Sequence, residues 1–152
     1  MAKWMKTSNH VAFSVAQGVA TVRLNNPDRR NALSFDLLQE YRNALLEADD
    51  LRGVSVVVVE GAGKDFCAGY DMKASYARYA DESNGGESPY RTGIGSFDDD
   101  TWKLERYGEM LRTAFDIHKP VIAKIHGNCV AGGTDLALYC DLLVAADDAR
   151  IG

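Results

Sequence analysis

Apolar and polar positions alternate through Val11, Phe13 and Val15, a Gln17-Gly18 pair interrupts them, and a second run extends from Val19 to Leu24. Two such runs around a glycine turn predict a β-hairpin. The stretch Asn25-Asn26-Pro27-Asp28-Arg29-Arg30-Asn31 is loop-forming and locally basic. After it the period lengthens: Leu37, Leu38, Tyr41, Ala44, Leu45 and Ala48 recur at helical spacing, and Ser34 stands where an N-cap belongs. This predicts a helix over about 34–49. Residues 54–59 are almost continuously apolar and β-branched, the pattern of a strand buried on both faces. A glycine-punctuated loop follows at 61–71, then a short helix over 72–80. Residues 81–100 are rich in Gly, Ser and Asp and read as a mobile surface loop within one domain. Helical spacing resumes over 101–118, Pro120 stops it, and strands are predicted at 121–125 and 142–146 on either side of a helical pattern over 136–140. Alternating strands and helices imply an α/β fold with parallel strands.

The 152 residues fit one domain with a real core, 46% hydrophobic and 26% charged. A net charge of −5 argues against a nucleic-acid binder, which needs a basic face. The longest apolar runs are too short to span a bilayer, and the first residues lack the apolar core of a secretory signal. Three cysteines, Cys67, Cys129 and Cys140, have no metal-site spacing and read as reduced thiols of a cytoplasmic protein. No metal site is expected.

The stretch from His126 to Asp135, His-Gly-Asn-Cys-Val-Ala-Gly-Gly-Thr-Asp, carries the chemistry. It joins a strand to a helix through paired glycines, so unpaired backbone N–H groups collect at the helix mouth and suit an anion or a developing oxyanion. Asp135 stands in the first turn beside them. The loop Phe66-Cys67-Ala68-Gly69-Tyr70-Asp71 has the same logic: strand, glycine, helix. Two such mouths face to face would give one oxygen two donors, the essence of an oxyanion hole. Glycines that merely turn the chain explain either loop alone, but explain both together less well.

In order along the chain stand Asn31-Ala32-Leu33, Phe66 to Asp71, Lys119-Pro120-Val121-Ile122-Ala123, His126-Gly127 to Asp135, and Cys140-Asp141. This ordered set resembles the crotonase (enoyl-CoA hydratase/isomerase) family over about residues 11–152. The resemblance implies a crotonase-like spiral of ββα units, with 1–152 an acyl-CoA-binding domain and the family's C-terminal helical part missing. It implies the N–H groups of Tyr70 and Gly132 as oxyanion donors and Asp135 as the proton-transfer group. It places coenzyme A near the backbone of Asn31, Ala32, Leu33 and Ala68, beside Asp71, with Arg29 or Arg30 near the phosphates. Coenzyme A would arrive with the substrate, and no other cofactor is implied. A homotrimer or dimer of trimers is the implied assembly.

Asp135 falls where family hydratases usually carry a glutamate, and an aspartate there also resembles the dienoyl-CoA isomerases. Its alternative role is to stabilise the first helical turn through the dipole. The family's second catalytic carboxylate would follow Ile151-Gly152. The expected reaction is therefore hydration of a 2-enoyl-CoA. A double-bond isomerase using Asp135, or a non-catalytic CoA-binding or assembly fragment, are the alternatives. Cys67 as a nucleophile is set against small apolar packing, and His126 as a base against a turn residue. His118, at a predicted helix end, reads as a capping cation or a solvated residue.

Overall fold

A computed structural model of the chain describes residues 3–6, 8–74, 76–77 and 97–152. Strands β1 (Val11–Ala16) and β2 (Val19–Leu24) form the antiparallel hairpin, with Val11 opposite Leu24. Gln17 and Gly18 both have positive φ, 51° and 81°, as a two-residue type I′ turn requires. Helix α1 (Phe35–Asp50) starts one residue after Ser34, whose hydroxyl accepts the Leu37 N–H at 3.2 Å. Strand β3 (Val56–Gly61) begins two residues later than the apolar run, because the Gly18 carbonyl takes the Ser55 and Val56 amides and holds them at the hairpin turn.

Residues 72–74 and 76–77 are helical, and the rest of the helix expected over 72–80 lies outside the described residues. The expected loop at 81–100 also lies outside them over 81–96, whereas 97–100 are the first turn of α2 (Phe97–Asp116). That helix starts four residues earlier than predicted. Asp98, Asp99 and Asp100 are stabilising in a first turn, where the helix dipole is positive, although as a run of acids they resemble a loop.

Strand β4 (Val121–Ile125) leads to the two-residue β5 (Asn128–Cys129), helix α3 (Gly132–Leu138), strand β6 (Leu142–Ala145) and β7 (Arg150–Ile151). The main sheet runs β1-β2-β3-β4-β6, parallel from β2 onward, and β5 pairs with β7 in a second, short parallel layer. A single parallel bridge adds Cys67 to that layer, opposite Cys129. The chain thus repeats a long strand, a short extended segment and a helix: β2 with Leu33 and α1, β3 with residues 67–70 and α2, β4-β5-α3. The functional loops are the short segments and helix mouths of these repeats.

α1 and α2 pack on each other, and Leu37, Leu38, Tyr41, Leu45 and Leu111 meet Val22, Leu24, Val57, Val59 and Val121 in one buried cluster. The alternate residues Val56, Val58 and Ile122 are only half-buried, and Leu142 and Val144 of β6 are exposed. So β3 is not covered equally on both faces among the described residues: its inward valines face the core, its outward ones do not. One charged row crosses that outer face: Glu60 accepts from Arg23, and from Lys124 at 2.9 Å.

The segment before β1 is fixed by two carboxylates of α1. Glu40, 6% exposed, accepts the N–H groups of Asn9, His10 and Val11, and Glu47 accepts that of Trp4 at 2.7 Å. All three cysteines are free and buried. Among the described residues no helix is long and apolar enough to cross a membrane.

Candidate active site

The first loop is tied down before any ligand is considered. Arg30 and Asn31 both adopt left-handed backbone, φ 52° and 55°, a region asparagine tolerates better than most residues. The Asn31 amide explains why it holds there. Its Nδ2 donates to the carbonyls of Ala62 and Asp65, both at 2.9 Å, and its Oδ1 accepts the Asn26 N–H. This turns the Arg30 carbonyl to the Ala68 N–H at 3.0 Å. Leu33 then bridges Tyr70 in parallel: its N–H donates to Gly69 at 2.8 Å and its carbonyl accepts from Asp71 at 3.0 Å.

The second loop is zipped to the first. Cys67 N–H donates to Asn128 at 3.0 Å, and Val130 N–H donates to Cys67 at 3.1 Å. Gly69, at φ 90°, lies so close to the second loop that a β-carbon on it would meet Ala131 Cβ at 3.0 Å and Gly132 N at 3.4 Å. Only glycine combines that dihedral with that approach. Ala131 has φ 49° and ψ −124°, near the first central position of a type II′ turn, which glycine normally holds. The Gly133 N–H closes the turn on the Val130 carbonyl at 2.9 Å. A non-glycine in this region carries strain of about 1–3 kcal/mol, and what it sets is the direction of the next peptide, Gly132 N–H.

Among the described residues the N–H groups of Tyr70 and Gly132 have no acceptor. These two donors lie on touching loops, one at the start of each helical segment. The Tyr70 ring folds over Gly132: a β-carbon there would sit 2.7 Å from its Cε2 and 3.0 Å from its Cζ. The ring also meets Tyr107 of α2 edge-to-face at 6.1 Å, and Tyr107 meets Phe35 at 5.9 Å. Asp135 is exposed, one turn beyond Gly132 on α3. Partial burial of the Tyr70 phenol raises its pKa. The charge of the nearby Asp135 carboxylate raises it further.

The family model for enoyl-CoA hydratase/isomerase matches residues 14–152. The chain belongs to this family. Its curated relatives include an Arabidopsis thaliana peroxisomal Δ3,5-Δ2,4-dienoyl-CoA isomerase, 33% identical over 95% of the chain and 50% of that protein. They also include a probable enoyl-CoA hydratase of Bacillus subtilis, 31% identical over 95% of the chain and 49% of that protein, and a 4-chlorobenzoyl coenzyme A dehalogenase of Arthrobacter, 34% identical over 94% and 47%. An enoyl-CoA hydratase structure from Mycobacterium smegmatis superposes with a TM-score of 0.80 at 30% identity, covering 96% of this chain and 50% of that one. The fold is therefore the crotonase fold, and the chain spans about half the length of the relatives it matches.

Most of the positions that the crotonase pattern implies for coenzyme A converge. Asp28, Arg29, Arg30, Ala32, Ala68 and Asp71, with Tyr70 and Lys73, line one open groove of about 590 Å³. Arg29 is already engaged, its Nη2 2.6 Å from Asp71 Oδ1. Asp71 in turn accepts the Ala74 N–H at 2.9 Å and is buried, so its carboxylate organises the loop and the arginine. Leu33 stands apart from the groove: its side chain is in the core, and both its peptide groups are spent on the Tyr70 bridge. The Ala68 carbonyl accepts no hydrogen bond among the described residues.

The remaining candidates have structural surroundings. Burial pushes the Cys67 thiol up to about 12, and its sulfur donates to the Asn31 carbonyl. His126 Nε2 lies 3.0 Å from the Gly63 carbonyl. His118 pairs with Asp49 at the end of α1, Nδ1 to Oδ2 2.9 Å, rather than capping its own helix. Two contributors have no distinct signal in the sequence. Tyr107 reads as one more apolar residue on a helix, and Tyr139, whose charge also acts on the Tyr70 phenol, belongs to no motif. Among the described residues no group of His, Cys, Asp and Glu could hold a metal ion.

Proposed function

We propose that this protein binds an acyl-CoA thioester and stabilises its enolate, and that it hydrates a 2-enoyl-CoA. The observation that carries the proposal is the pair of acceptor-free N–H groups, Tyr70 and Gly132, on two loops held in contact by the Cys67–Cys129 bridge. A thioester carbonyl oxygen seated on both would gain its strongest hydrogen bonds as negative charge develops on it, which lowers the barrier to enolate formation. Asp135 takes a proton from water, the water oxygen bonds to C3, and the π electrons move to the carbonyl oxygen. Asp135 then delivers the proton it has taken to C2, which collapses the enolate and restores the carboxylate. The open groove at Arg29, Arg30 and Lys73 supplies positive charge for the phosphates, with Arg29 preset by Asp71.

The test follows the 2-enoyl absorbance of crotonyl-CoA in oxygen-18 water. Loss of absorbance with one labelled oxygen in the product is expected, and Asp135→Asn should lower the rate about a hundredfold or more. Undiminished hydration in that variant would remove Asp135 from the mechanism. Isomerisation is a second reading, favoured by an aspartate at this position and by the likeness to the Arabidopsis isomerase. One acid suffices for it: the same carboxylate removes a proton from one carbon and returns it to another. Conversion of a 3,5-dienoyl-CoA without labelled oxygen would establish that reading. Calorimetric binding of coenzyme A with neither reaction would favour a non-catalytic acyl-CoA-binding role.

A further inference from the structure

The Tyr70 side chain does something that its backbone role does not require. An oxyanion donor at this position needs only an N–H, which any residue but proline supplies. Here the residue is a tyrosine, 39% exposed, whose ring is not directed into solvent but laid over Gly132 of the opposing loop. Tyr107 fixes it from the other side in an edge-to-face contact at 6.1 Å and 82°, so the ring has a defined seat.

That seat determines where the hydroxyl goes. In a helix each Cα–Cβ bond tilts toward the N-terminus, so the side chain of residue i+3 lies back over residue i. Asp135 is i+3 from Gly132, and its carboxylate therefore reaches back over the Gly132 turn. The Tyr70 Cζ, which bears the hydroxyl, lies 3.0 Å from where a Gly132 β-carbon would be. The phenol thus lies on the face of the Gly132 turn toward which Asp135 projects. The absence of a side chain at Gly132 is what lets the ring come so close.

We infer that the Tyr70 hydroxyl is a positioning group for Asp135, donating to its carboxylate and fixing which oxygen faces the substrate. This deepens, and rests on, the acyl-CoA chemistry proposed above. One residue then serves both halves of the site, its N–H on the oxyanion and its O–H on the acid, so the distance between them is set by one side chain. An exposed aspartate is otherwise free to rotate about two torsions, and one strong hydrogen bond removes most of that freedom. The phenol pKa is raised first by burial and next by the Asp135 charge, which agrees with a carboxylate close to the hydroxyl. The other groups facing the phenol are Tyr139, just past the end of α3, and Cys67 on its own loop, with Tyr107 on α2. Arg29, Asp71 and Lys73 line the groove on its other side.

The pairing is tested in the intact protein carrying ring-fluorinated tyrosines, which ionise at lower pH and report by fluorine NMR, with Tyr70→Phe assigning the Tyr70 signal. Asp135→Asn should move the Tyr70 titration downward, because it removes the neighbouring negative charge. Tyr70→Phe keeps the N–H and the ring on Gly132, so with crotonyl-CoA and a 3,5-dienoyl-CoA it should leave KM near wild type and lower kcat on the order of tenfold. A Tyr70 titration unmoved by Asp135→Asn overturns the pairing, whatever the turnover. An unchanged kcat in Tyr70→Phe overturns the positioning role. If neither thioester is turned over by the wild type while the titration shift is present, the hydratase and isomerase readings fall and the pair stands.

Discussion

Adjacent glycines at the mouth of α3 should respond differently to the same added methyl group. A β-carbon on Gly133 would lie 2.7 Å from the Cys67 carbonyl oxygen and 2.8 Å from Cys67 Cβ. Both atoms belong to the Cys67–Cys129 bridge, and that carbonyl accepts the Val130 N–H at 3.1 Å, so they cannot retreat without opening it. Overpacking of this kind costs about 1–3 kcal/mol, against which the reduced freedom of the unfolded chain returns about 0.4–1 kcal/mol. Gly133→Ala should therefore lose about 1–2 kcal/mol, a fall in Tm of about 2–8 °C for a chain of this size. At Gly132 the obstacle is Tyr70 Cε2 at 2.7 Å and Cζ at 3.0 Å, the far end of a part-exposed side chain that can swing aside. Gly132→Ala should keep its stability within about 1 kcal/mol of wild type, while the displaced ring takes its hydroxyl from Asp135 and lowers kcat. Thermal melts and urea titrations of both variants, beside turnover, decide it. Equal destabilisation by the two substitutions, or a neutral Gly133→Ala, would refute the account of how the loops are held.

Glu40→Ala removes the acceptor of three backbone N–H groups, Asn9, His10 and Val11, and should cost about 1.5–3 kcal/mol in urea unfolding, because charged acceptors are the strong ones. Arg29→Met should weaken coenzyme A binding in calorimetry and leave the Asp71–Ala74 hydrogen bond in place, since Asp71 accepts both. The His118–Asp49 hydrogen bond and charge raise the His118 pKa above its unfolded value, so the stabilisation is fully present below about pH 6.5 and lost as pH rises through the folded pKa. His118→Gln should accordingly lower the urea midpoint at pH 5.5 and leave it unchanged at pH 8.5. Cys67 and Cys140, each pushed up to about 12 by burial, should resist iodoacetamide in the native protein at pH 8 and react once it is unfolded.

How much of this was legible in the sequence depended on whether a residue's role is local. Ser34 announces a cap because its oxygen serves an amide three residues on. Val57 and Val59 announce a strand because their burial follows the two-residue period. The two loops proposed to hold an oxyanion stand out in the sequence as an ordered set of glycines and a carboxylate, and every expected groove position except Leu33 and Asn31 lines one groove. Those two face inward instead, Leu33 in the core and the Asn31 amide bonding three loop carbonyls. The start of α2 was hidden because three consecutive aspartates resemble a loop, although at a helix N-terminus they are stabilising. The strain at Ala131 could not be read at all, since nothing about an alanine announces φ 49°, and only the closing bond from Gly133 to Val130 explains why it persists. Tyr70 was legible as a backbone position and not as a phenol, because the carboxylate that acts on its hydroxyl lies 65 residues away on α3.

The two halves of the site are held by different means, and this bears on what can vary among proteins of this framework. The donors come from peptides fixed by backbone bridges, Leu33 to Tyr70 and Cys67 to Cys129, and by two glycines that tolerate no β-carbon without movement. Nothing in that half depends on which side chain sits at position 70. The acid half is the reverse: Asp135 is exposed, and in the pairing proposed above what fixes it is a side chain that the proposed oxyanion role leaves free to change. Relatives named hydratase, isomerase and dehalogenase align with this one chain at 31–34% identity. A rigid donor pair with an adjustable acid is the arrangement that lets one enolate-stabilising framework host different bond changes, because the fate of the enolate rests on where protons and nucleophiles are delivered. If so, replacing Tyr70 by Ala should spare α-proton exchange of a saturated acyl-CoA with deuterated solvent more than it spares hydration. Exchange needs only the donors and a nearby carboxylate, whereas hydration also needs that carboxylate aimed at water. Equal losses in both reactions would mean that the side chain at position 70 serves the donors as much as the acid, and the division of labour would fail.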